Sequence, residues 1–384
     1  MRSTRITIDL DALEWNFDCI RKHAPEQKIL GLVKANAYGH GMVPIARALE
    51  MFGADMLGVA LLDEAIELRR RGIAGEILIL TPVETHEAEL AVEHNVHIVA
   101  CSLPQIEAVS NAASVSHVKV PMHLYVDTGM LREGFRPADA LAAAQQIAAM
   151  QGVDLVGVCT HFATADDPAS PFLRNQLEIF EQVVAKLEQA GFSFQYVHAA
   201  NSGALWMDKQ SHYTMVRTGL ALYGYALGAE PYAALRPVMS VRSTINSFRH
   251  AWPGESVSYG QRYIVPTEAT IATVPIGYGD GYMRALSGKG QCIISGKRYP
   301  IVGSVCMDEL MVDLGTDLCS LEQEVVLLGG QMAPDGSHEH IDAIEIAERA
   351  GTIPYEIMTA FSERIPRVYS GRIATEIDIQ GMRD

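Results

Sequence analysis

Ile29-Leu-Gly-Leu-Val-Lys-Ala-Asn-Ala-Tyr-Gly-His-Gly41 is the stretch from which the fold is read. Residues 29–33 form a short apolar run that ends on a lysine, followed by small residues, a tyrosine and two glycines. Such a run predicts a buried strand that leaves the core at Lys34. An amine at the rim of an apolar strand is costly unless it is paired, solvated or chemically used. Lys34 therefore either marks the strand's exit into water or is a reactive amine of the Schiff-base kind, whose pKa falls on desolvation.

The same rhythm recurs down the chain. Further apolar runs lie at residues 56–60, 77–80, 97–100, 123–126, 155–159, 195–198 and 213–216, each followed by a helix or a loop. Between two of them, Leu173, Leu177, Phe180, Val184 and Leu187 fall at the spacing of an amphipathic helix. Eight alternating units with near-continuous apolar strands specify a parallel sheet covered by helices, and eight close naturally as a (β/α)8 TIM-like barrel. An open doubly wound sheet is the alternative, but it usually has fewer units. Near Arg236-Pro237 the pattern changes to period-2 runs at residues 238–247, 270–274, 291–294 and 324–328, separated by turn signals such as Pro253-Gly254 and Pro334-Asp335-Gly336. Helical pattern returns only at residues 341–350. The expected α/β architecture is thus a barrel over residues 8–235 and a mostly β C-terminal domain over 236–384. The first strand signal, Arg5-Ile-Thr-Ile-Asp-Leu, is expected to pair with that second domain rather than open the barrel, so that residues 1–7 extend it.

With 384 residues, 48% hydrophobic and 20% charged, the chain is long enough for both parts. Its net charge of -16 argues against nucleic acid or an anionic membrane as partner. An anionic ligand would need a local cluster of donors. Cys19, Cys101, Cys159, Cys292, Cys306 and Cys319 are scattered without a CxxC pair, so neither a metal site nor a disulfide framework is indicated. The N-terminus lacks the apolar core of a signal peptide, and no apolar stretch is long enough to span a membrane. A cytoplasmic protein is expected.

In barrels of this kind the working residues lie at the C-terminal ends of the strands. Here Lys34 follows the first strand; Asp127, Thr128 and Arg132 the fifth; His161 and Asp166 the sixth; Asn201, Ser202 and Gly203 the seventh; Arg217 and Gly219 the eighth. One such group is weak evidence, whereas five strand ends in phase are hard to attribute to solvation. The small and hydroxyl residues after strands seven and eight suit a phosphate, which barrels frequently bind there. A phosphate cup, a lysine and a nearby arginine match the needs of pyridoxal 5′-phosphate (PLP).

On these residues the chain resembles the bacterial alanine racemases over nearly its whole length. Val33-Lys-Ala-Asn-Ala-Tyr-Gly-His-Gly41 matches that family's PLP-lysine motif. Val126-Asp-Thr-Gly-Met130, Thr160-His-Phe-Ala-Thr-Ala-Asp166, His198-Ala-Ala-Asn-Ser202, Val257-Ser-Tyr-Gly260, Pro275-Ile-Gly-Tyr278 and Val305-Cys-Met-Asp308 match it elsewhere. The resemblance implies a PLP barrel plus a β domain, paired head to tail in a homodimer with shared active sites. It implies that Lys34 holds PLP and that Tyr38, Asn201, Ser202, Gly219, Leu220 and Tyr355 bind the cofactor, mostly at its phosphate. Arg217 would face the ring nitrogen. Arg132 would meet the phenolic oxygen and the substrate carboxylate. Tyr259, with His161 beside it, would be a second base supplied across the dimer. Met307 would bind the substrate carboxylate through its backbone, and Tyr278, Arg284, Asp166 and Asp308 would line the entrance. The implied reaction is racemisation of a small amino acid, L-alanine to D-alanine first, with Lys34 and Tyr259 as bases on opposite faces. The implied product is a peptidoglycan precursor.

Racemisation itself demands two bases, one on each side of Cα. Lysine and tyrosine are poor bases near neutrality, so cationic neighbours must lower their pKa, a task open to His161 and the two arginines. Some positions depart from the family pattern. Tyr125 stands where a carbamylated lysine is common, so Arg132 would need another anion or acceptor, with chloride, Glu133 or the Tyr125 hydroxyl as candidates. Met130-Leu-Arg-Glu-Gly134 replaces Met-Gly-Arg-Leu-Gly, and Pro354 replaces a frequent asparagine. Ser304 replaces an arginine near the expected entrance, which would make the gate wider or less charged. A serine or broader-specificity racemase therefore stays open. A PLP decarboxylase of the same architecture is disfavoured, because those prefer an acidic partner for the ring nitrogen and Arg217 is basic.

Overall fold

A computed structural model describes residues 3–228 and 235–377. The chain forms two compact units. One comprises Leu13–Ala37 and Met42–Arg236; the other gathers residues up to Ala12, the short stretch Tyr38–Gly41 and the chain from Pro237 onward.

The first strand, β1 (Arg5–Asp9), belongs to the second unit. The first unit then holds β2 (Lys28–Leu32), β3 (Met56–Val59), β4 (Ile77–Ile79), β5 (His97–Ala100), β6 (Val120–Tyr125), β7 (Val153–Cys159), β8 (Tyr196–His198) and β9 (Met215–Thr218). These eight strands form one sheet in the order β8-β7-β6-β5-β4-β3-β2-β9, with every paired neighbour parallel. Thr214 N donates to Val197 O (3.1 Å) and Arg217 N to Ala200 O (2.9 Å) across the remaining seam, so the sheet is a nearly closed barrel. Leu30, Met56, Leu78, Val99, Tyr125, Cys159, Tyr196 and Met215 form one buried cluster, with one residue from each strand. This lumen is a packed core rather than a pore, as expected of an eight-stranded parallel barrel.

Two readings from the sequence shift. The last barrel strand begins at Met215, two residues later than the apolar run suggests, because Tyr213 takes a left-handed backbone with φ of 45° and ends the preceding turn. Arg217 consequently lies inside β9 rather than after it, and only 4% of it is exposed.

The second unit is a mostly β fold. It adds β10 (Met239–Thr244), β11 (Ser247–Ala251), β12 (Ser256–Val257), β13 (Tyr263–Ile264), β14 (Ala269–Val274), β15 (Gln291–Ile294), β16 (Lys297–Val302), β17 (Leu310–Asp313), β18 (Glu324–Met332), β19 (His338–Ile341) and β20 (Arg367–Ser370). The main path runs β11-β14-β17-β16-β15-β18-β10-β1-β20. β1 sits antiparallel to β10 and parallel to β20. Helix Ala343–Ala350 starts on an Asp342 cap to Glu345 N (2.8 Å) and stops at Gly351, whose φ is 78°. A second helix, Pro354–Ala360, follows it and was not read from the sequence. Its proline is at the first helical position, where a missing N–H costs nothing.

Candidate active site

Lys34 stands at the exit of β2, at the head of a left-handed turn. Ala35, Asn36, Ala37 and Tyr38 have φ of 51°, 53°, 52° and 54°. Each non-glycine residue in that conformation costs roughly 1–2 kcal/mol, so the turn must be held. Glu64 holds it. One carboxylate oxygen accepts from Ala35 N (2.6 Å), the other from Ala60 N (2.8 Å) and Leu61 N (3.1 Å) at the end of β3. Ala37 N returns to Val33 O (2.8 Å), and Asn36 Oδ1 accepts from Met42 N (2.8 Å). Glu64 was not singled out by sequence reasoning; its only signal is its place in the first turn of the next helix.

The Lys34 amine lies well into the barrel mouth. Burial lowers its pKa below the ordinary lysine value, and Arg132 and Arg217 push the same way, while Glu64 and Glu133 oppose them. Arg217 is a buried cation whose hydrogen bonds go to Thr160 O (2.8 Å), Ala199 O (3.0 Å), His198 Nδ1 (2.9 Å) and His161 Nδ1 (3.1 Å). A guanidinium only donates, so both imidazoles must accept through Nδ1 and carry their proton on Nε2. His161 is therefore not the cation that sequence reasoning offered. Burial, then Arg217, Arg132 and Lys34, drive its pKa down to about 3. Gln176, fully buried on helix Phe172–Gln189, braces this residue by donating to His161 O (2.9 Å) and Thr128 Oγ1 (3.1 Å) while accepting from Ala163 N (2.9 Å).

Ser202 and Gly219 come together at the ends of β8 and β9. Ser202 Oγ accepts from Gly219 N (3.0 Å) and Ala221 N (3.2 Å), which leaves its own proton to donate. Asn201 caps the short helix Ser202–Met207 through Ala204 N (3.0 Å) and does not point its acceptor elsewhere. Leu220 is buried beside them.

Arg132 is half exposed and faces Glu133, with Nε 3.6 Å from Oε2. Of the two side chains considered for it, Glu133 is the one in ion-pair range. The Tyr125 hydroxyl is buried without a hydrogen-bond partner, and burial pushes its pKa up to about 12, so it remains a neutral phenol. Gly134, with φ of 98°, packs so tightly on Tyr125 that a Cβ there would meet Tyr125 Cδ1 at 2.5 Å.

The remaining residues belong to the second unit. Tyr38 and Tyr355 pair there, ring centroids 5.8 Å apart, and burial pushes the Tyr38 phenol pKa up. Tyr259 is 75% exposed on a turn in which Ser258, Gly260 and Gln261 all have positive φ. Ser304 lies beneath the Tyr259 turn. It is 3% exposed and donates to Tyr259 O (2.9 Å), while Ser258 Oγ donates to Ser304 O (2.7 Å). Tyr278 and Met307 are joined through Tyr278 N to Cys306 O (3.0 Å) and Gly279 N to Met307 O (2.8 Å). Asp308 is held by Arg364 (2.7 Å). Arg284 lies exposed in this unit, and Asp166 is exposed in the other. Within the barrel unit, then, Lys34, Arg132, His161 and Arg217 share one electrostatic cluster.

Sequence comparison bears on this arrangement. The profile of the alanine racemase N-terminal domain matches residues 8–227, and that of the alanine racemase C-terminal domain matches residues 238–369. The chain belongs to the alanine racemase family. It is 38% identical to the alanine racemase of Symbiobacterium thermophilum over 377 residues, which is 97% of this chain and 99% of the relative. It is 39% identical to that of Desulforamulus reducens over 370 residues, 95% and 98% of the two chains. Among solved structures it is similar to alanine racemase from D-cycloserine-producing Streptomyces lavendulae, with a TM-score of 0.91, 36% identity and coverage of 98% and 99%. It is also similar to alanine racemase from Bacillus anthracis with bound L-Ala-P, with a TM-score of 0.88, 34% identity and coverage of 97% and 96%. The enzyme is an amino-acid racemase. Among the described residues no helix is long and apolar enough to cross a membrane.

Proposed function

We propose that the enzyme interconverts L- and D-alanine with PLP bound in the barrel mouth. The observation that carries this reading is the place of the Lys34 amine, at the exit of the first barrel strand and among the charges of Arg132 and Arg217. The donor set fits the cofactor: an amine for the aldehyde, a Ser202 hydroxyl held by Gly219 N and Ala221 N with its own proton to give, and a buried guanidinium. Bound PLP supplies an electron sink that acidifies the Cα–H of the amino acid.

The chain's residues do the rest. Lys34 holds the cofactor and moves a proton on one face of Cα. Tyr259 moves it on the other. Arg217 would face the ring nitrogen and, being a guanidinium, would keep its own proton, so the bound cofactor would be a weaker electron sink suited to plain proton exchange. His161, neutral, stands beside the second base. Arg132, set by Glu133, takes the substrate carboxylate together with the Met307 backbone. Ser202, Gly219, Leu220, Tyr38 and Tyr355 would hold the cofactor at its phosphate, Asn201 would stand beside them at the cofactor, and Tyr278 and Asp308 would border the approach. Two copies pair head to tail in the cytoplasm, each lending Tyr259 to the other's site; the exposure of Tyr259 on the β unit supports this.

Borohydride reduction of the purified, yellow enzyme followed by digestion tests the anchor. The pyridoxyl label is expected on Lys34, and label on another lysine would overturn the assignment. A chiral screen of small amino acids should rank alanine above serine; the reverse order would reassign the substrate.

A further inference from the structure

Among the described residues, no carboxylate hydrogen-bonds to the buried Arg217 guanidinium. A buried cation without a counter-charge is expensive. A column of histidines leads away from it toward the opposite end of the barrel. Arg217 NH1 meets His198 Nδ1 at 2.9 Å, His198 Nε2 meets His123 Nδ1 at 2.8 Å, and His123 Nε2 meets His97 Nδ1 at 3.1 Å. His97 Nε2 then faces Glu76 Oε1 at 3.9 Å. Glu76 and His97 lie at the N-terminal ends of β4 and β5, His123 is inside β6, and His198 and Arg217 are near the C-terminal ends of β8 and β9. The column therefore runs the length of the lumen.

We infer that Glu76 is the remote counter-charge of Arg217, connected to it by three neutral histidines locked in one tautomer. The direction follows from arginine, which can only donate. His198 must accept at Nδ1 and so carries its proton on Nε2. That proton is given to His123 Nδ1, which fixes His123 the same way, and His123 fixes His97. Each ring then presents its lone pair toward the guanidinium and its N–H toward the carboxylate. The three dipoles add, and hydrogen bonds in such a chain polarise one another. A proton arriving at His97 cannot pass through to Arg217, because the last acceptor in the reversed chain would have to be a guanidinium.

The surroundings are built for this column. Tyr196 donates to Glu76 Oε2 (2.7 Å), stacks on His123 with centroids 5.1 Å apart and meets His97 edge-on at 5.8 Å. Gly157, opposite His123, leaves room for its ring: a Cβ there would come within 2.5 Å of His123 Nδ1. Burial lowers the pKa of all three histidines, in keeping with neutral rings. Glu76, His97, His123 and His198 are positioning residues. They act through Arg217, and their role toward the cofactor rests on the proposed place of Arg217 at its ring nitrogen.

The test uses the holoenzyme with its 13 histidines labelled with 15N, the column signals being assigned by single substitutions. His97, His123 and His198 should each show a protonated Nε2 and a bare Nδ1 at neutral pH. Glu76→Gln is isosteric and near the surface, so it keeps the fold while removing the charge. It should move the His198 signals as well as those of His97, and lower kcat about tenfold with KM little changed. In an Arg217→Lys background the same substitution should have no further effect on kcat. A proton on Nδ1 of any of the three rings would overturn the inference. So would a Glu76→Gln enzyme with unchanged His198 signals and unchanged kcat. If the tautomers and their response appear but the visible cofactor band is indifferent to Arg217, the counter-charge stands and only the cofactor reading fails.

Discussion

The two candidate bases sit on similar backbones in opposite surroundings. Lys34 heads four residues with φ near +50°, and Tyr259 is flanked by Ser258, Gly260 and Gln261 with φ of 66°, 75° and 50°. Left-handed backbone throws a side chain clear of its strand, which suits a reacting group. Around Lys34 the barrel has already arranged cations, burial and the Glu64 clamp. Around Tyr259 the chain provides a tether through Ser304 and leaves the phenol three-quarters exposed. One base is finished by its own unit, while the other still needs an environment. That asymmetry is what a site completed by a second copy would leave on each chain.

Removing the bases should break the comparison most severely. Lys34→Ala should lose both cofactor anchoring and racemisation, by more than about 10⁴-fold. Tyr259→Phe should keep the cofactor and slow α-proton exchange from L-alanine by roughly 10²- to 10⁴-fold, the usual worth of one positioned base, with D-alanine affected far less. Equal exchange of both enantiomers in deuterated water would show that the two residues do not serve opposite faces. Mixed Lys34→Ala and Tyr259→Phe chains, reassembled as verified hybrids, should regain activity at one intact site. Hybrids that stay dead would place both bases on one chain.

Glu133 offers a smaller effect. Its Oε2 lies 3.6 Å from Arg132 Nε, an ion-pair contact longer than a hydrogen bond, and it is the carboxylate next to the guanidinium. A misplacement of ~1 Å can cost on the order of 100-fold, and Glu133→Gln, which keeps the shape, should cost about tenfold in kcat/KM. Added chloride should restore part of that loss. Tyr125→Phe should cost almost nothing, because its hydroxyl has no partner to lose. If Tyr125→Phe is the more damaging of the two, the phenol and not Glu133 holds Arg132.

The electrostatics of Lys34 give a subtler test, in direction alone. Arg132 helps hold its pKa down and Glu64 helps hold it up. In cofactor-free protein, Arg132→Gln should move the pH at which Lys34 becomes reactive upward, and Glu64→Gln should move it downward. Labelling rate against pH at Lys34 reads both. Shifts in the reverse directions would mean that these charges do not reach the amine.

Much of this was legible in the sequence for a simple reason. Eight apolar runs, each followed by a helix or loop, point to a parallel sheet, and their number favours a barrel over an open doubly wound sheet; strand ends then fall on one face. Lys34, Arg132, His161 and Ser202 could be placed by that logic. What stayed hidden depends on three-dimensional register. Arg217 was read as following a strand because an apolar run does not reveal a left-handed Tyr213. His161 was offered as a cation because the sequence cannot show two arginines around it, whereas the structure drives its pKa down to about 3. That Ser304 tethers the Tyr259 turn shows only in its hydrogen bond to Tyr259 O. Glu64 and Gln176 look like ordinary helical residues until their backbone partners are known.

The gentlest test concerns Leu131, next to Arg132. It stands where the family has glycine, yet it adopts φ of 55°, in a loop whose Asp127 accepts from Gly129 N (3.0 Å) and Leu131 N (2.9 Å). A leucine in that conformation is strained by roughly 1–2 kcal/mol. Leu131 is 68% exposed, so little burial offsets the strain. Replacing it with glycine relieves the strain but adds freedom to the unfolded chain, a loss of about 0.5–1 kcal/mol. The balance favours Leu131→Gly by roughly 0.5 kcal/mol. In a chain this long that is a rise in Tm of about 0.5–1 °C, read by calorimetry at fixed cofactor and protein concentration. A fall in Tm would mean that Leu131 makes a contact worth more than its backbone strain. The loop that carries Arg132 would then be held by packing as well as by Asp127.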